Sequence, residues 1–131
     1  MLKGVNHIGI AVKSIDEALK AYGDGLGAVI DAEVHRSADM TARMLSVGET
    51  KIELLEPAGA EGVIAKFLEG RGEGIHHICI EVDDIEKALK EIAAKGIRLI
   101  DKAPRQGIEG LVAFIHPKSM NGVLIELVQV P

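Results

Sequence analysis

One segment occurs twice in this chain, with a histidine at the same place in each copy. Val5-Asn6-His7-Ile8-Gly9-Ile10-Ala11-Val12 leads into Ile15-Asp16-Glu17-Ala18-Leu19-Lys20, and seventy positions later Ile75-His76-His77-Ile78-Cys79-Ile80-Glu81-Val82 leads into Ile85-Glu86-Lys87-Ala88-Leu89-Lys90. The copies also end alike, on Ile52-Glu53-Leu54-Leu55 and on Ile125-Glu126-Leu127-Val128. Halves of about sixty residues are too small to bury a comfortable core alone. The expectation is one domain of two packed modules, about 1–58 and about 74–131, with a linker over about 59–73.

Periodicity assigns the elements. Residues 5–12 alternate strictly, as a half-buried strand does, with His7, Gly9 and Ala11 on one face and Ile8, Ile10 and Val12 on the other. The aliphatic face should pack on a helix over 15–23, whose apolar stripe is Ile15, Ala18, Leu19 and Tyr22 and which the glycines Gly23, Gly25 and Gly27 end. Strands follow at 28–35, 41–48 and 50–56, then a short helix near Val63–Leu68 and the glycine-rich run Gly70–Gly74. The second module repeats the order: a strand over 75–82, a helix over 84–95 ending at Gly96, and strands near 97–101, 110–116 and 122–129. The fold class is α+β: two βαβββ modules forming a curved, mostly antiparallel mixed sheet with a metal-binding cleft.

Bulk properties exclude several partners. A net charge of −5 argues against nucleic acid, which needs a basic face. No apolar run approaches the roughly 20 residues of a membrane span, and no signal-peptide pattern opens the chain. The lone Cys79 rules out an internal disulfide and fits a reducing compartment, so a cytoplasmic location is expected.

Period two also sorts the polar residues. Ile52 and Leu54 flank Glu53, and Ile125 and Leu127 flank Glu126. With those aliphatics under the helices, both carboxylates share the inward side with His7 and His77. A half-buried carboxylate is costly unless compensated, and a divalent cation compensates it. Imidazole with carboxylate suits cobalt, nickel, manganese, iron or zinc, and four such ligands on a six-coordinate ion leave two positions for reactant. The plainer alternative is a pair of hydrogen-bonded core histidines with strand-edge glutamates. His76 has the opposite parity to His77, and Cys79 reads as a small buried hydrophobe.

The duplicated unit with its paired His and Glu resembles the vicinal-oxygen-chelate (glyoxalase) superfamily. Gly72-Glu73-Gly74-Ile75-His76-His77, Lys51-Ile52-Glu53-Leu54-Leu55-Glu56-Pro57 and His116-Pro117-Lys118-Ser119 are similar to the methylmalonyl-CoA epimerases within it. The resemblance implies metal ligands His7, Glu53, His77 and Glu126, a divalent ion (Co2+ first, with Mn2+, Ni2+ or Zn2+ as alternatives), a CoA thioester substrate and a homodimer. It departs at Ala42, where several such epimerases carry a glutamate base. The expectation is therefore that Glu126 and Glu53 act as the catalytic carboxylates, with His116, Lys118 and Ser119 binding substrate. Two rivals share the fold: a glyoxalase I-type lyase, and a protein that sequesters ligands without catalysis.

Overall fold

The structure is a computed structural model that describes all residues from Met1 to Pro131. Its elements run β1 (Leu2–Ala11), α1 (Ile15–Leu19), β2 (Val29–Arg36), β3 (Met40–Val47), β4 (Thr50–Pro57), α2 (Val63–Arg71), β5 (Gly74–Val82), α3 (Ile85–Ala94), β6 (Arg105–Gln106), β7 (Leu111–Ile115) and β8 (Ile125–Gln129). The fold is α+β, with the βαβββ order present twice. Contacts divide the chain into a first unit, His7–His76, and a second unit made of Met1–Asn6 with His77–Pro131.

In the first unit the strand order is β2-β3-β4-β1. β1 runs parallel to β4, while β2–β3 and β3–β4 are antiparallel. A parallel neighbour needs a crossover, and the intervening helix and hairpin supply it. The register of β2 shifts between Ile30 and Val34, a local irregularity in this outer strand.

Ser14 starts α1 as an N-cap, its hydroxyl accepting the Glu17 amide N–H at 3.2 Å. The helix does not stop at Gly23: it loosens into a π-helical turn over Lys20–Gly25, and Leu26 donates to the Ala21 carbonyl at 2.8 Å. Val12, Ile15, Leu45 and Leu54 form the core beneath it, with Ile10, Ala18, Leu19, Tyr22 and Ile52 packed around. Each fully buried aliphatic side chain there contributes about 2 kcal/mol. The opposite face of the sheet holds Ala11, Ala42 and Leu55, packed against Ile64 of α2.

The second unit is ordered β5-β8-β7-β6, again with a parallel pair (β5–β8) and antiparallel hairpins. Asp84 caps α3 by accepting the Lys87 N–H at 3.1 Å. Ile85, Ala88 and Leu89 of α3 pack on Val82, Ala113, Ile115 and Leu127.

The strand expected at 97–101 is absent. Its place is taken by a single bridge, Leu99 to Ile115, and the regular pairing shrinks to β6. The Asp101 carboxylate accepts the Phe114 N–H at 2.8 Å, while Ile100 and Asp101 both donate to the Phe114 carbonyl. A side chain thus takes the amide that a ladder partner would have used. Pro104, which has no N–H to give, stands at the start of the remnant.

Candidate metal centre

β1 and β4 bring one histidine and one glutamate together in the first unit. The register sets Gly9 beside Glu53 and Ile8 beside Ile52, so His7 and Glu53 project from the same face. His7 Nε2 lies 3.5 Å from Glu53 Oε1. Both are buried, at 6% and 7% exposure, whereas the flanking Leu54 is in the core on the opposite face. Met44 is the cross-strand partner of Glu53 and is itself buried, which gives the carboxylate an apolar flank.

β5 and β8 bring the equivalent pair together in the second unit. Cys79 pairs with Glu126 as Gly9 pairs with Glu53, and His77 Nε2 lies 3.2 Å from Glu126 Oε1. His77 is 5% exposed and Glu126 is 9%. Phe114 replaces Met44 as the cross-strand partner, and its ring meets the His77 imidazole edge-on at 6.0 Å between centroids. Cys79 is fully buried with Val112 and Val128, as a small hydrophobe is.

Four buried ionisable side chains are expensive unless their charges are compensated, several kcal/mol for each unpaired one. Each His–Glu pair supplies one nitrogen and one carboxylate, the donor types that borderline divalent ions take. Within each unit the imidazole nitrogen and the carboxylate oxygen lie close enough to share one ion. The chemistry of the donors therefore fits the ion that the sequence implies.

The predicted substrate loop is a short 3-10 turn, Pro117–Ser119, with His116 at its start. His116 Nδ1 accepts the Lys118 N–H at 3.1 Å, and Ser119 Oγ accepts the Arg98 N–H at 2.9 Å. Loss of water around its ring, followed by the charges of Arg98 and Lys118, pulls the His116 pKa below its ordinary value. These effects favour the neutral imidazole, whose Nδ1 is the acceptor of the Lys118 N–H.

Two features escaped sequence reasoning. Glu56 accepts the Ile15 N–H at 2.8 Å, and Gln129 accepts the Ile85 N–H at 2.9 Å. Each stands three residues after a carboxylate of the site, an offset that comparison of the two modules makes visible. The other is the contact of Phe114 with His77, for which the sequence carries only an aromatic at the right strand parity.

Residues 6–114 match the model of the Glyoxalase/Bleomycin resistance protein/Dioxygenase superfamily. The chain is 43% identical over 126 residues to the mitochondrial methylmalonyl-CoA epimerase of Dictyostelium discoideum, covering 94% of this chain and 76% of that protein. It is 40% identical to the ethylmalonyl-CoA/methylmalonyl-CoA epimerase of Cereibacter sphaeroides, covering 99% of this chain and 100% of that one. A methylmalonyl-CoA epimerase solved in complex with methylmalonyl-CoA and NH4+ superposes with a TM-score of 0.91 at 31% identity, covering 99% of this chain and 96% of the other. A duplicated βαβββ fold, a buried His–Glu pair in each half and these likenesses together place the chain in the glyoxalase superfamily and, within it, in the methylmalonyl-CoA epimerase family.

Proposed function

We propose that this chain is a metal-dependent methylmalonyl-CoA epimerase, an isomerase that interconverts the (2R) and (2S) thioesters through an enolate. The observation that carries the reading is the buried His–Glu pair present in both halves of a chain of this family, at 3.5 Å and 3.2 Å. In this reading His7, Glu53, His77 and Glu126 together hold one divalent ion, cobalt first and manganese, nickel or zinc after it. When bound, the ion supplies a Lewis acid that lowers the energy of the charge developing on the thioester oxygen.

Inversion at C2 requires a proton carrier on each face. Glu126 from the second unit takes this role on one face and Glu53 from the first unit on the other. His116, Lys118 and Ser119 bind the acyl group, from a turn whose shape His116 Nδ1 and Ser119 Oγ already fix by accepting backbone amides. The protein works as a cytoplasmic homodimer, and no helix in it is long and apolar enough to cross a membrane.

The test is exchange of the C2 proton in deuterated water. It should fall at least about a hundredfold in Glu126→Gln while bound metal persists. Exchange near the wild-type rate in that variant sinks the base assignment.

A further inference from the structure

The face that carries His77 and Glu126 also carries a long cationic side chain. Arg105 stands opposite Val112 in the β6–β7 register, and Phe114 stands opposite Glu126 in the β7–β8 register. Residues two apart along a strand share a face, so Arg105, Val112, Phe114 and Glu126 lie on one side of the sheet. The first unit matches this: His35 of β2 stands opposite Ala42, on the face of Glu53.

The guanidinium carbon of Arg105 sits 5.6 Å from the Phe114 ring centroid, within cation–π range. The same ring meets His77 edge-on. Arg105 is therefore one aromatic ring away from a proposed metal ligand. Asp101 fixes the arrangement: its Oδ1 lies 3.6 Å from Arg105 Nε, and its Oδ2 accepts the Phe114 N–H at 2.8 Å. With Nε turned to Asp101, the two Nη groups remain for a ligand, on a side chain that is 59% exposed.

The segment around Arg105 is basic within an acidic chain. Residues 98–118 hold Arg98, Lys102, Arg105 and Lys118 against only Asp101 and Glu109. The ring beneath and the carboxylate beside hold the fork in place before any ligand arrives, so less entropy is lost on binding.

We infer that Arg105, seated on the Phe114 ring beside the His77–Glu126 pair, binds an anionic oxygen group of the substrate, either its free carboxylate or a CoA phosphate. The inference rests on the epimerase reading and adds a substrate-binding residue to it. Such a substrate offers two sources of the group, its free carboxylate and the phosphates of CoA, and a guanidinium takes either bidentately.

The experiment measures epimerisation by Arg105→Met and Arg105→Lys on two substrates. One is methylmalonyl-CoA; the other is the methylmalonyl thioester of N-acetylcysteamine, which keeps the carboxylate and lacks every phosphate. KM for methylmalonyl-CoA should rise about tenfold or more in the Met variant with kcat within about threefold, and Arg105→Lys should fall between. A rise on both substrates assigns the carboxylate, and a rise on the CoA thioester alone assigns a phosphate. KM within about twofold of wild type on both overturns the inference, as does a fall in kcat with KM unchanged, which would make Arg105 a support for Phe114. Calorimetric titration with malonyl-CoA, which has no stereocentre to invert, reads the same contact without turnover. Weaker binding by the Met variant supports the anion site even if the wild type fails to epimerise, and equal binding overturns it.

Discussion

The carboxylate of Glu56 accepts the amide N–H of Ile15 at 2.8 Å, tying the first turn of α1 to the strand that carries Glu53. The second module makes the same tie with an amide, Gln129 accepting from Ile85 at 2.9 Å. Helix and ligand strand are thus joined three residues from each buried glutamate. Because Gln serves in one module, Glu56→Gln should unfold within about 0.5 kcal/mol of wild type, whereas Glu56→Ala should lose about 1–2 kcal/mol. Chemical denaturation of the two variants checks the contrast.

Metal content follows from the donor set. The purified protein should contain about one divalent ion per chain, His7→Ala and His77→Ala should lose it, and chelation should abolish epimerisation until an ion is restored. Elemental analysis with activity measured in parallel decides this. A metal-free wild type would favour ligand sequestration, and turnover of the glutathione hemithioacetal in place of methylmalonyl-CoA would favour a glyoxalase I-type lyase.

Gly110 faces the backbone of β8. A Cβ at that position would overlap the carbonyl oxygen of Gln129, while one at Gly59 would meet open space. Gly110→Ala should therefore cost about 2 kcal/mol or more, with Gly59→Ala nearly neutral, as thermal or chemical unfolding would report.

His116 provides a pH-dependent signal. Its folded pKa lies below the ordinary value, so the folded loop favours the neutral ring, which accepts the Lys118 N–H. The stabilisation is complete above about pH 6.5 and is lost as pH falls through that value toward the folded pKa. An NMR titration of the His116 ring should show a midpoint below that of a free histidine, and Lys118→Met should move it upward.

Much of this was legible because the repeat and period two act together. Once His7 and Glu53 were set opposite Ile8, Ile10, Ile52 and Leu54, the burial of both polar residues followed from the helix taking the aliphatics, and the structure agrees. The same logic placed His77, Cys79 and Glu126. It failed at 97–101, where Ile97, Leu99 and Ile100 look like a strand but the Asp101 side chain replaces the ladder partner of Phe114. Glycine punctuation also misled slightly: Gly23 and Gly25 stay helical because a π turn absorbs them. The Glu56 and Gln129 ties and the stack of Arg105 on Phe114 depend on three-dimensional direction rather than on residue type. Spacing in the chain carries little of that information.

The irregular register of β2 bears on how the molecule behaves in a crowded solution. β2 is the outermost strand of its sheet, where an unpaired edge could template an extended peptide, but the Glu33 N–H already donates to the Asp31 carboxylate at 3.1 Å and the Asp31 carbonyl accepts from the Arg43 guanidinium at 3.0 Å. The shift between Ile30 and Val34 breaks the regular spacing that an incoming strand would need, and Asp31, Glu33 and Arg36 would bring charge into the new seam. The first unit therefore ends on a strand that is a poor template for fibrous self-association.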